Sequence, residues 1–397
     1  MSVVVDLMPP STLGRYFQIA ALSLGGLRAA ESTLVFDSPR DYEDLVVRAG
    51  EKTLLTKIRL DGGVSLSKQS ICKLIEKAAE APSPRLNYIR QVDAEAVGSA
   101  GLNTVCGQEA GLRAMLNMLS YIEKVIDRGG PLMVRDVKIP MLFRATLFGK
   151  TRGPRRAEIE RCSGDSLGLA LVGAVASFMG RLRVRDTTYE YFLLPDGSAS
   201  SMENYWPALE VLGGVLKIEH APPSIPEVAR TLIEVSGASV DLATYMAALI
   251  RVLWADEFLE RVSSLAEARA FESMILVRID SSGNRPQMVW AGPLAISHTV
   301  RELAGDPGFR RALRELYVSS SIALRMQGRD GEHARKAVAD CVNSLSLLVV
   351  SGHSESVKNQ LLLSCSRSLA ALADHLSESG AGQQLRERAL RILRALG

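Results

Sequence analysis

The sequence predicts an α+β protein, a mixed α/β N-terminal and central region followed by a C-terminal antiparallel helical bundle. Three observations predict it. Short β-rich runs bounded by turn residues alternate with helical periodicity over the first two-thirds. From about His298 onward no strand pattern remains. In that last stretch, apolar residues recur at helical spacing and the runs break at Gly305-Asp306-Pro307-Gly308, Gly328, Gly352 and Gly380. The expected domains are 1–150, mixed α/β; 151–297, an α/β continuation with a basic loop and a hairpin; and 298–397, the bundle.

Taken in order, Val3–Leu7 reads as a strand, and Pro9-Pro10-Ser11 opens a helix to about Ala30. Leu34–Phe36 is a second strand, and Ser38-Pro39 starts a helix that Gly50 closes. Leu54–Leu60 alternates as a strand before the turn Asp61-Gly62-Gly63, and 67–81 and 107–127 are helical by spacing. Leu132–Phe148 favours β structure, with Pro140 at an edge or break. Ser166–Met179 is a small-residue helix, and Arg181–Leu194 alternates as one strand ending at Pro195-Asp196-Gly197. Met274–Asp280 and Gln287–Ile296 form a hairpin across Ser281-Ser282-Gly283-Asn284.

Composition narrows the function classes. Of 397 residues, 47% are hydrophobic and 23% charged, which fits a globular chain and excludes a disordered or fibrous one. Net charge is only +3, but the cations are 36 Arg against 11 Lys, and guanidinium groups suit phosphate. Seven Asn and nine Gln point to a thermophilic source. Five scattered Cys without a Cys-x-x-Cys pair argue against a secreted disulfide framework and a zinc ribbon, and Cys341 and Cys365 read as buried small hydrophobes. No basic leader opens the sequence, and Leu167–Met179 is too short to span a bilayer. A cytoplasmic protein that does not engage membranes is expected.

Charge is segregated. Residues 1–150 carry 19 basic and 16 acidic groups, 162–297 carry 10 and 16, and 298–397 carry 14 and 10. The sharpest local excess lies at 144–161. There, Lys150, Arg152, Arg155, Arg156 and Arg161 share a Gly/Pro-rich loop, where backbone N–H groups and guanidinium forks can approach phosphate oxygens. Arg181, Arg183 and Arg185 follow at a period of two, which on one strand makes a charged stripe. The eight together form the candidate nucleic-acid-binding set, with Tyr189 and Tyr191 either stacking on bases or packing half-buried. A solvated loop and a blunted sheet edge are the competing explanation.

Other motifs are poorer. Gly149-Lys150-Thr151 resembles the end of a Walker loop, but Arg144 stands where its first glycine belongs. Gly164-Asp165-Ser166-Leu167 with Asp330 and His333 supplies the groups of a serine hydrolase, the alternative enzymatic reading. No histidine spacing suits a metal, and no cofactor motif is present. The last helices carry Arg310, Arg311 and Arg314, then Arg386, Arg388, Arg391 and Arg394, which pair outward with acids or touch nucleic acid or an acidic partner.

Tyr16–Arg28 (YFQIAALSLGGLR), Ser166–Arg185, Tyr189–Ser201 (YEYFLLPDGSASS) and Tyr205-Trp206 together resemble the Csa-type large subunit of archaeal subtype I-A CRISPR Cascade complexes. The resemblance covers the first two-thirds; the bundle matches in kind. It implies a non-catalytic subunit of an antiviral, RNA-guided interference complex. The partners it implies are guide RNA, target DNA, other Cascade subunits and a helicase–nuclease. It carries over no individual site residue. A purely architectural assembly subunit is the remaining alternative.

Overall fold

A computed structural model describes residues 3–10, 12–27, 33–38, seven positions within 41–52, 137–138, 161–162, 164–213, 223–254, 259–280, 282, 287–351, 355–376 and 380–396. The strand expected at 54–60 and the helices at 67–81 and 107–127 lie outside them. The chain divides into two compact units: Met1–Ala221 with Glu272–Leu294, and Pro222–Phe271 with Ala295–Gly397. The bundle residues thus share a unit with a segment from the middle of the chain. The hairpin at 274–293 belongs to the first unit.

In the first unit, β1 (Val3–Asp6) pairs antiparallel with β2 (Thr33–Phe36). Between them α1 (Leu13–Gly25) starts at Thr12, whose hydroxyl accepts from the Arg15 N–H, and ends on Gly26 at φ 84°. Its residues are buried on almost every side, because α2 (Gly164–Ser177) lies against it. The two helices meet so closely at Gly173 that any Cβ there would overlap the Phe17 carbonyl. A two-residue pair, β3 (Val137–Lys138) with β4 (Arg161–Cys162), is also antiparallel.

The main sheet runs β5 (Phe178–Val184), β6 (Thr187–Pro195), β7 (Met274–Asp280), β8 (Gln287–Pro293), each antiparallel to its neighbour. The hairpin read at 274–296 is present, its second strand closing at Pro293. Two boundaries differ from expectation. The small-residue helix stops at Ser177, and Phe178 and Met179 already belong to β5. Arg181–Leu194 is not one strand but two, folded at Arg185-Asp186. Apolar alternation continues across such a tight turn, so periodicity alone does not reveal it.

Phe192 of β6 meets both Phe178 and Phe17 edge-on, with ring centroids 5.5 and 5.4 Å away, tying sheet to α1. From α3 (Ala199–Gly213), the fully buried Tyr205 donates its hydroxyl to the Leu193 carbonyl, 2.9 Å. That burial raises the Tyr205 pKa.

The second unit is helical among the described residues. It comprises α4 (Ile225–Ser236), α5 (Val240–Val252), α6 (Leu259–Glu267), α7 (Ser297–Leu303), α8 (Pro307–Arg325), α9 (Gly328–Ser351), α10 (Glu355–His375) and α11 (Gly380–Leu396). Capping explains several starts: Ser224, Ser239 and Asp306 accept from the backbone N–H three residues on, and Pro226 and Pro307 stand in first turns. The breaks expected at Gly305–Gly308, Gly328 and Gly380 fall between or at the ends of these helices. Ala334, Val338, Cys341, Val342 and Leu345 form the buried stripe of α9. Cys341 and Cys365 are buried, as their apolar faces imply, but they are joined in a disulfide linking α9 to α10. Spacing in sequence could not show this, since the partners come from two helices.

No described helix is long and apolar enough to cross a membrane.

Candidate nucleic-acid interface

The eight candidate cations divide into three groups. Lys150, Arg152, Arg155 and Arg156 lie outside the described residues. Arg161 lies in β4, where its register partner in β3 is Lys138. Two cationic residues therefore occupy directly opposed positions of an antiparallel pair. Such pairs repel unless an anion lies near. Lys138 was not among the sequence candidates; only the strand register brings it to Arg161.

The third group is the stripe. Arg181 and Arg183 occupy alternate positions of β5, opposite Glu190 and Thr188 of β6. Among the described residues, β5 is the outer strand of its sheet. Arg183 is exposed, and its Nε donates to the Arg185 carbonyl at 3.4 Å. Arg185 is not the third member of a strand face. It stands in the turn at φ 53°, a left-handed conformation uncommon for residues other than glycine, asparagine and aspartate. The stripe is thus two strand positions plus an exposed turn. The register partner of Arg181 is the fully buried Glu190.

The tyrosines are packing residues. Tyr191 is fully buried, and half-buried Tyr189 has the Arg278 guanidinium 5.1 Å over its ring. Buried Tyr191 presents no open face for a base.

The hydrolase residues belong to different units. Ser166 is buried near the start of α2, where Gln18 Nε2 donates to both its hydroxyl and its carbonyl at 2.7 Å. Gln18 Oε1 in turn accepts from the Met8 N–H at 2.7 Å. This closed polar cluster ties the β1 exit to α1 and α2. His333 belongs to the other unit, exposed on α9 with its ring stacked 6.1 Å from that of His375. Among the described residues, no group of three or more His, Cys, Asp or Glu side chains could hold a metal.

Several arginines of the second unit serve the fold. Arg310 is buried and donates to the Ala304 carbonyl at the end of α7. Arg335 Nη1 donates to the Met326 carbonyl at 3.0 Å, and buried Arg251 Nη1 to the Pro223 carbonyl at 2.6 Å. Arg388 and Arg391 share Glu315 across α8 and α11, at 2.6 and 3.6 Å.

Compared with protein-family models, curated proteins and solved structures, the chain matches none of them.

Proposed function

We propose that this chain is a non-catalytic, nucleic-acid-associated subunit of an RNA-guided CRISPR interference complex, contacting the phosphate backbone of guide RNA or target DNA in antiviral defence. The observation that carries the backbone contact is the opposition of Lys138 and Arg161 across β3 and β4, with the basic residues Lys150–Arg156 between them in sequence. Paired cations lose their mutual repulsion when a polyanion lies over them. Exposed Arg183 and Arg185 on the outer strand and its turn supply a second cationic element of the same unit. The particular complex rests on the sequence resemblance of Tyr16–Arg28, Ser166–Arg185 and Tyr189–Ser201. In such a complex base pairing reads sequence while protein holds backbone, which suits a cationic surface.

The test is anisotropy titration of labelled RNA and DNA against the wild type and the triple reversal Arg152→Glu, Arg155→Glu, Arg156→Glu, across a salt series. Binding should weaken by at least tenfold and its logarithmic salt slope should fall by about 2–3. Unchanged affinity and slope would reject the backbone-contact assignment. Co-purification with CRISPR RNA from the native host tests the particular complex.

A further inference from the structure

The first unit holds a cavity of about 380 Å³ lined by Leu24, Gly25, Gly26, Arg48 and Lys52. Packing fixes its walls. The described residues between 41 and 52 are helical, and Tyr42, Leu45 and Ala49 are their buried stripe. Leu45 presses on the end of α1 so closely that a Cβ on Gly25 would overlap its side chain and carbonyl. At Gly26 the space where a side chain would stand is empty. Arg48 and Lys52, four residues apart and about 6 Å along the helix axis, thus share one cavity.

Two cations in one cavity are costly without an anion. Arg48 Nε donates to the Gly25 carbonyl at 3.0 Å, which anchors the guanidinium and uses one of its five donors. Lys52 is half-buried, with its Nζ 5.6 Å from the centre of the Trp206 ring of α3. Burial lowers the Lys52 pKa, Glu210 opposes the shift, and Arg48 adds to it. Among the described residues, neither cation has a carboxylate at ion-pair distance.

We propose that this cavity binds a small hydroxyl-bearing phosphate ester, such as a sugar phosphate or a mononucleotide, with Arg48 and Lys52 on its phosphate. A tetrahedral dianion has enough oxygens and charge to meet both cations, whereas a carboxylate would satisfy the guanidinium alone. The volume lies in the range of small-molecule sites and exceeds what the phosphate itself fills. At the other wall the last carbonyls of α1 form the negative end of that helix, which suits hydroxyl donors of the ligand rather than a second anion. This inference uses none of the cations assigned to the nucleic-acid surface.

The experiment is calorimetric titration of the full chain with ribose 5-phosphate and adenosine 5′-monophosphate, using inorganic phosphate, ribose and acetate as controls. Both esters should bind saturably, inorganic phosphate more weakly, and ribose and acetate not at all. Arg48→Ala with Lys52→Met should weaken ester binding at least about tenfold. Lys52→Met alone should weaken it without lowering the melting temperature of the unliganded protein, because it removes a half-buried charge at little change in volume. The triple reversal at Arg152, Arg155 and Arg156 should leave ester binding unchanged, so this proposal and the nucleic-acid reading fail separately. The proposal is overturned if neither ester saturates, if acetate binds as well, or if the double variant binds like the wild type. A lower melting temperature for Lys52→Met with ester affinity intact would make the lysine a packing residue and overturn it too. So would a single-stranded oligonucleotide that displaces the esters and loses its own affinity in the double variant, since the cavity would then belong to a backbone-binding surface.

Discussion

The same side chain serves opposite ends in the two units. In the helical unit, Arg251, Arg310 and Arg335 donate to backbone carbonyls at Pro223, Ala304 and Met326, the last two at helix C-terminal ends whose carbonyls helical hydrogen bonds leave open. In the sheet-bearing unit, Arg183 and Arg185 stand outward at an edge strand and its turn. An arginine count therefore says little about polyanion binding. What matters is whether the guanidinium is turned inward to a carbonyl distant in sequence or stands at the surface, as Arg183 does although its Nε reaches the Arg185 carbonyl nearby.

The largest test of that contrast concerns what holds the helical unit together besides arginine. The Cys341–Cys365 bond closes a 24-residue separation between α9 and α10. Replacing both by alanine, or reducing the bond, should cost about 3 kcal/mol in urea unfolding. Two free thiols in the native protein by mass analysis, or an unchanged midpoint on reduction, would remove this cross-link from the account.

Next comes Arg251→Ala. Burial lowers the pKa of this guanidinium, with Glu227 opposing the shift, and its loss strips the Pro223 carbonyl of a partner. A loss of about 2–3 kcal/mol is expected by thermal or urea denaturation, with nucleic-acid affinity unaltered. A stability change under about 0.5 kcal/mol would show that the inward arginines are dispensable.

The smallest effect has the reverse sign. Arg185→Gly relieves a left-handed backbone and should gain about 0.5–1 kcal/mol while weakening RNA or DNA binding. A residue retained at a conformational cost would then be serving contact rather than fold. If Arg185→Gly leaves binding intact, the turn drops out of the candidate surface.

Element types were largely legible in the sequence because burial periodicity and capping are local. Val3–Asp6, Thr33–Phe36, the 274–293 hairpin and the late helices all follow from spacing and from residues such as Asp306-Pro307. The site was legible only in composition. Spacing placed Arg181, Arg183 and Arg185 on one face, but a tight turn at Arg185-Asp186 took the third away. Lys138 gave no signal at all, since its meaning lies in a register partner 23 residues further on. Ser166 belonged to a short motif in a poor context, and Gln18, 148 residues away, holds it buried.

Sequence alone determined the α+β class, the helical run after 298 and the surplus of guanidinium over ammonium, because each depends on neighbours within a few residues. Only the tertiary structure decided which arginines cap carbonyls, which cysteines bond, and that residues 222–271 fold with the C-terminal helices while 272–294 join the first unit. Those outcomes depend on contacts between residues far apart along the chain, and local periodicity carries no information about which distant surface will cover a given face.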